Sequence, residues 1–193
     1  MESPLKTVEK NVNLQSYSMS QGFLGFFERK EAFSIDVCEK AIDLLLSSSL
    51  FDTHCQSIVS NLFIVGNDFE LKNDYGFGDR ELREHVYPLA AESILTRVDT
   101  TQYCANRLDG YGLLEIPRIN ERIIRTVFSA VMSVDGIRGH CFCVVPDHDL
   151  ILYPHDDSGF GFISTSREAS RRQYLQDWIV RRFSDNAFEV TVF

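Results

Sequence analysis

The sequence has 193 residues, of which 44% are hydrophobic and 24% charged, a composition typical of a chain that buries one hydrophobic core. Its 15 phenylalanines, within an aromatic fraction of 12%, exclude a disordered polymer. The formal net charge of -9 would repel a phosphate backbone at long range, so nucleic acid is disfavoured as a partner.

The first third of the chain predicts one helix and one strand after a loose start. Residues 1–20 are predicted as a loose lead-in, followed by an apolar segment at residues 21–27. Apolar side chains recur at helical spacing over residues 35–46, and Ser34 stands in the N-cap position, so a helix is predicted there. The segment of residues 57–65 is short, apolar and rich in β-branched side chains, which predicts a strand.

The middle of the chain predicts mostly helix. Residues 79–97 have a helical pattern, but Pro88 removes a backbone donor, so a kink or two short helices are expected. Residues 101–116 are predicted to hold two short strands around the turn residues Asp109 and Gly110. The apolar spacing of residues 119–131 predicts a further helix.

The last third predicts a β-meander followed by a helix and a strand. Three apolar runs, residues 141–145, 150–153 and 160–163, are separated by turn residues 146–149 and 156–159.

The end of the chain completes the predicted fold. Thr165 and Glu168 have the spacing of a capping box, which predicts the start of a helix with Trp178 on its apolar face. Residues 188–193 alternate as a last strand, and its edge is one at which a second copy could pair to form a homodimer. We therefore predict one α+β domain, residues 1–193, in which an antiparallel sheet of three or four strands packs against about four helices.

The cysteines and the absence of a long apolar run predict a cytoplasmic protein. The five cysteines are Cys38, Cys55, Cys104, Cys141 and Cys143. They are odd in number and far apart, and no secretory segment precedes them, so a disulfide framework is not expected. The sequence also lacks a stretch of eighteen apolar residues, so no membrane-spanning helix is predicted. Strand alternation is predicted to send Cys141 and Cys143 to one face and His140 to the other, so these three side chains would not chelate an ion together.

The densest polar cluster flanks the second run of the meander. Its members are Asp147, His148, Asp149, His155, Asp156 and Asp157. A strand between the two turns would hold them more than about 10 Å apart, too far for one ion. His155, Asp156 and Asp157 remain a local candidate for a metal site, although Asp-Asp-Ser-Gly is also the chemistry of a tight turn. No motif predicts a cofactor.

The meander and the following helix resemble a family of uncharacterised bacterial domains. In that family a hydrophobic strand leads to Tyr, then Asp-Asp-Arg-Gly, a strand, and a helix that ends in Trp-Ile. The matching residues here are Tyr153, Asp156, Asp157, Gly159, Ile163, Tyr174, Trp178 and Ile179. The resemblance covers about fifty-five residues and departs at Ser158, where the family has arginine. It implies an α+β fold and, by analogy, an immunity protein that neutralises a bacterial toxin.

Two functional hypotheses follow from the sequence. The first is a non-enzymatic, acidic protein-binding domain, most concretely an immunity protein that binds a basic toxin. The exposed acids expected to contact that partner are Asp74, Asp79, Glu81, Glu84, Asp147, Asp149, Asp156 and Asp157. The alternative is a metal-dependent hydrolase or nuclease that uses His155, Asp156 and Asp157, assisted by His148.

Overall fold

The structure, a computed structural model, describes residues 2–65, 82–98, 106–108, 110–134 and 136–193. Five α-helices lie in these residues: α1 (Pro4–Asn11), α2 (Ile35–Leu46), α3 (Tyr87–Ala91), α4 (Glu121–Ser133) and α5 (Ala169–Phe183). The strands of the same residues are β1 (Phe23–Arg29), β2 (Ser57–Ser60), β3 (Leu62–Val65), β4 (Leu95–Val98), β5 (Gly112–Glu115), β6 (Ile137–Arg138), β7 (Cys141–Val145), β8 (Leu150–His155), β9 (Gly159–Ser164) and β10 (Phe188–Val192).

The strands form two sheets, and the predicted α+β fold is confirmed. The larger sheet has seven strands in the order β10-β1-β9-β8-β7-β2-β5, with every neighbouring pair antiparallel. The predicted meander is β7-β8-β9 at its centre, and the sheet is larger than the three or four strands that were predicted. The smaller sheet has the order β4-β3-β6, in which β3 and β4 are parallel.

One face of the large sheet packs against α2, α4 and α5. Phe27 lies at the centre of this core, with its ring stacked on Phe183 at 4.6 Å between centroids and edge-on to Phe188 at 5.3 Å. Residues of the smaller sheet, among them Leu62 and Ile64, belong to the same buried cluster. The two sheets therefore share one core.

The other face is covered by the N-terminal residues, which are ordered and not the loose lead-in that was predicted. Helix α1 begins at Pro4, a residue preorganised for the first turn of a helix, and Ser3 accepts a hydrogen bond from the Lys6 amide. Val8 of α1 is fully buried against this face, and Tyr17 packs edge-on against Tyr153. The apolar side chains of this short helix lie on one side of it and pack against the sheet.

The helices predicted at residues 35–46 and 119–131 are confirmed as α2 and α4, and the strand predicted at residues 57–65 is corrected. Ser34 caps α2 by accepting a hydrogen bond from the Val37 amide at 3.2 Å, as expected. The predicted strand at residues 57–65 is two strands in different sheets, because Asn61 leaves the ladder to pair with His140: its amide donates to the His140 carbonyl, and its Oδ1 accepts from the His140 amide.

The predicted helix at residues 79–97 is shorter than expected. Leu82–Val86 form a π-helical turn, α3 follows with Pro88 in its first turn, and the chain then enters β4. Parallel pairing of β4 with β3 overrides the helical pattern of these last residues. Residues 79–81 lie outside the described residues.

The capping box predicted for Thr165 and Glu168 does not form. Helix α5 begins at Ala169, with Glu168 in the N-cap position and no side-chain cap bond. The hydroxyl of Ser164 accepts a hydrogen bond from the Ser166 amide, and the hydroxyl of Ser166 accepts one from the Glu168 amide. Serine hydroxyls therefore satisfy the backbone donors ahead of the helix.

The predictions on the strands at residues 101–116, on the cysteines and on membrane-spanning helices can be compared with the structure for the described residues only. One strand, β5, lies within the two-strand prediction for residues 101–116. Cys38, Cys55, Cys141 and Cys143 form no disulfide, while Cys104 lies outside the described residues. Within those same ranges, the helices are too short or too polar to cross a bilayer.

Candidate functional site

The two polar turns of the meander lie at opposite ends of β8, as the sequence predicted. At one end, Asp147 accepts a hydrogen bond from the Thr53 hydroxyl at 2.6 Å. Asp149, which has a left-handed φ of 55°, accepts one from Arg171 Nε at 3.1 Å. Both carboxylates are thus bonded to side chains of this chain, and Arg171 also donates to the His148 carbonyl.

The remaining predicted acids lie elsewhere. Glu84 lies in the π-helical turn and lines a cleft of about 580 Å³. Equal numbers of arginines and glutamates line this cleft, so it is not an acidic surface. Three predicted acids lie outside the described residues: Asp74, Asp79 and Glu81. The described members of the predicted set therefore occupy three separate places.

At the other end of β8 the structure brings His155, Asp156 and Asp157 together, with one potential ligand atom from each within 4.8 Å of the others. His155 Nε2 lies 3.2 Å from the Phe27 carbonyl and can only donate to it, which leaves Nδ1 as an acceptor in the neutral ring. Burial lowers the pKa of His155, against the opposing effect of the Asp157 carboxylate. Burial thus favours the neutral form of the ring.

The turn that carries these side chains is held tightly against β1. Ser158, which stands where the resembled family has arginine, is fully buried with φ 54°, and its hydroxyl accepts a hydrogen bond from Cys38 Sγ at 3.2 Å. A Cβ on Gly159 would lie 1.8 Å from the Phe27 carbonyl oxygen, so glycine is required there. The position of Asp156 and Asp157 is thus set by the packing beneath them.

Two further acids join this turn. Glu28 of β1 lies directly opposite Glu189 of β10 in the strand register. Desolvation raises the pKa of Glu28, and the Asp157 and Glu189 carboxylates raise it further, while Arg29 lowers it. Like charges directly opposite each other in neighbouring strands are destabilising. We call Glu28, Asp156, Asp157 and Glu189 the acidic rim.

Comparisons with protein-family models, with curated proteins and with solved structures gave no match to this chain. The resemblance of the C-terminal third to a bacterial domain family therefore stays a prediction. What can be said of function rests on the chemistry of the acidic rim and of the residues around it.

Aromatic side chains extend from Phe26, two residues before Glu28 in β1, toward the opposite end of that strand. Phe193, with 72% of its surface exposed, lies 5.4 Å from Phe23 and 6.2 Å from Phe26 between ring centroids. Phe26 in turn contacts the ring of His155 edge-on at 6.1 Å. We call Phe23, Phe26 and Phe193 the aromatic patch. This apolar surface adjoins the acidic rim at Phe26.

Sequence reasoning identified Asp156 and Asp157 but missed Glu28 and Glu189. These two residues are far apart in the chain and meet only because β1 and β10 are neighbours in the sheet. A signal was present, since each is the only acid in its strand. Without the strand order, that signal could not be joined to the Asp156–Asp157 turn.

Proposed function

We propose that this protein binds a basic protein partner through the acidic rim, and that its most concrete role is that of a cytoplasmic immunity protein that neutralises a bacterial toxin. The observation that carries the proposal is the direct opposition of Glu28 and Glu189, next to Asp157. Among the described residues, Arg29 contacts this group, and its Nη2 lies 3.9 Å from Asp157 Oδ1.

A basic partner would turn this repulsion into attraction. Lysine or arginine side chains placed between the rim carboxylates would remove the like-charge cost and gain charge-assisted hydrogen bonds. The aromatic patch would supply the apolar contact area that the centre of a protein interface needs. The net charge of -9 would accelerate the encounter with a cationic protein.

Affinity capture tests this function. The tagged chain, incubated with a lysate of its native host at low and at moderate salt, is expected to retain a basic protein, more at low salt because exposed charges are screened. The double variant Glu28→Gln/Glu189→Gln is expected to bind the captured protein about tenfold more weakly, as measured by calorimetry with the purified partner.

The matched control is Glu9→Gln/Glu92→Gln, which removes the same charge from two exposed acids outside the rim. It is expected to bind within about twofold of the wild type. The proposal fails if no partner is retained at either salt, or if the control weakens binding as much as the rim variant does.

A second candidate is a metal-dependent hydrolase or nuclease at His155, Asp156 and Asp157. The observation in its favour is the hydrogen bond from His155 Nε2 to the Phe27 carbonyl, because metal-ligating histidines usually donate their other ring nitrogen to such a group. The assistance predicted from His148 is wrong, since His148 precedes β8 and His155 ends it. A strand of that length separates them by roughly 16 Å.

Metal analysis separates the two candidates. Protein purified without a histidine tag is expected to contain substoichiometric metal, and its melting temperature is expected not to change with a chelator. A resident ion at a hundredfold excess over its Kd would add about 2.7 kcal/mol to stability, a change that calorimetry resolves readily. One equivalent of metal that Asp157→Asn removes would favour the hydrolase over the binding protein.

A further inference from the structure

Strand β10 forms an edge of the large sheet, and its outer backbone groups face away from β1. Among the described residues β10 pairs with β1 alone. The Lys30 amide donates to the Ala187 carbonyl, and the Phe193 amide donates to the Leu24 carbonyl. Because backbone groups alternate along an antiparallel strand, the amides and carbonyls of Val190 and Val192 point to the open side.

This edge lacks most of the features that usually prevent strand addition, and its charged side chain, Glu189, is one with which a basic strand can pair. Proteins protect edges with lysine, proline, a bulge or a very short strand. Strand β10 contains neither lysine nor proline, and its register with β1 runs without interruption from Phe188 to Val192. Val192 is also 40% exposed.

The side chains beside the edge define the chemistry of a strand that would fit it. A residue on an added strand directly opposite Glu189 would continue the row formed by Glu28 and Glu189. With two carboxylates already in that row, the third position favours a cation. Two residues along, the added strand would face the next row, which holds Phe26 and Thr191, and there a β-branched or aromatic side chain fits.

We propose that β10 receives a strand of the basic partner by β-strand addition, with lysine or arginine opposite Glu189. Main-chain hydrogen bonds to Val190 and Val192 would provide affinity, and the Glu189 row would provide specificity. This inference rests on the proposed function, since it specifies how the partner of the acidic rim binds.

The probe for this interaction is an acetylated and amidated peptide of eight residues, threonine except for one central lysine, so that a β-branched side chain lies two residues from the cation. Its control is the same peptide with glutamate for lysine. In the wild-type protein the lysine peptide is expected to slow amide hydrogen exchange of Val190 and Val192 by at least about tenfold, because both amides then donate hydrogen bonds. The glutamate peptide is expected to leave that exchange unchanged.

The variant Val190→Pro removes the outward amide of one residue, at an edge position where proline is tolerated. It is expected to bind the lysine peptide about tenfold more weakly. Val190→Thr, which also removes apolar packing but keeps the amide, is expected to bind within about twofold of the wild type. Urea unfolding of both variants verifies that they fold. The hydrogen exchange measurement uses the wild-type protein, so it tests the proposal even if a variant does not fold.

Three outcomes would overturn strand addition. If Val190→Pro binds the lysine peptide normally while Glu28→Gln/Glu189→Gln does not, the rim binds cations without the edge, and the proposed function survives alone. If the wild type does not bind the lysine peptide, the edge is not a strand receptor, and affinity capture decides the proposed function separately. If the protein alone sediments as a dimer that Val190→Pro converts to a monomer, a second copy occupies the edge.

Discussion

Replacement of Phe27 by alanine is expected to lower the free energy of unfolding by about 3–5 kcal/mol, the usual cost of removing a fully buried phenylalanine. Phe27 has no exposed surface, and its ring is stacked on Phe183 with an angle of 12° between planes. It also contacts the rings of Phe160, Phe162 and Phe188. These rings come from two strands, β9 and β10, and from helix α5, so the cavity cannot close by the movement of one side chain.

Urea denaturation measures this loss, provided that the dependence on denaturant is the same in both proteins. Phe33→Ala is the matched control, because Phe33 is 46% exposed and its contact with another side chain is a cation–π interaction with Arg29 at 5.4 Å. It is expected to cost less than about 1 kcal/mol. A loss below about 1 kcal/mol for Phe27→Ala would mean that the aromatic core is not organised around this residue.

The same residue shows why part of the fold could not be predicted. Residues 21–27 were interpreted as an apolar segment, because a strand that is covered on both faces loses the alternation of polar and apolar residues. In addition, the register of β1 with β9 shifts between Phe23 and Gly25, and Gly25 has φ 143°. This irregularity disturbs the period of two by which strands are recognised. The meander, by contrast, has clear turns and was predicted correctly.

The candidate site also contains residues that the sequence could predict and residues that it could not. Asp156 and Asp157 could be predicted because a tight turn uses a local sequence pattern. Glu28 and Glu189 could not, because only the order of strands brings β1 and β10 side by side. Asp147 and Asp149 were predicted to contact a partner, but a sequence does not reveal that Thr53 and Arg171 bind their carboxylates.

Acidification is expected to destabilise the protein between pH 6.5 and about 4 through His140. This side chain is 3% exposed, and burial lowers its pKa from 6.5 to about 4. Between these two values the unfolded chain binds a proton at this position and the folded chain does not, so the free energy of unfolding falls as the pH falls. The difference of 2.5 pKa units corresponds to about 3 kcal/mol, fully present above pH 6.5 and lost by about pH 4.

The ring of His140 links Tyr17, which covers one face of the large sheet, to Phe142 of β7 within that sheet. Its Nδ1 is hydrogen-bonded to the Tyr17 hydroxyl at 2.5 Å, and its ring stacks on Phe142. His140→Phe would keep the stacking but remove both the titrating group and the bond to Tyr17. We therefore expect a variant that is less stable than the wild type at pH 7 but loses about 3 kcal/mol less between pH 6.5 and 4.

Urea denaturation at a series of pH values measures this slope. The comparison isolates His140 because His155, whose pKa is also lowered by burial, is present in both proteins. His54→Phe, a replacement of the same kind at an exposed position, is the control. An equal slope in the wild type and in His140→Phe would show that the buried imidazole is not the group that makes the fold sensitive to acid, and that the covering of the sheet by Tyr17 does not depend on a neutral His140.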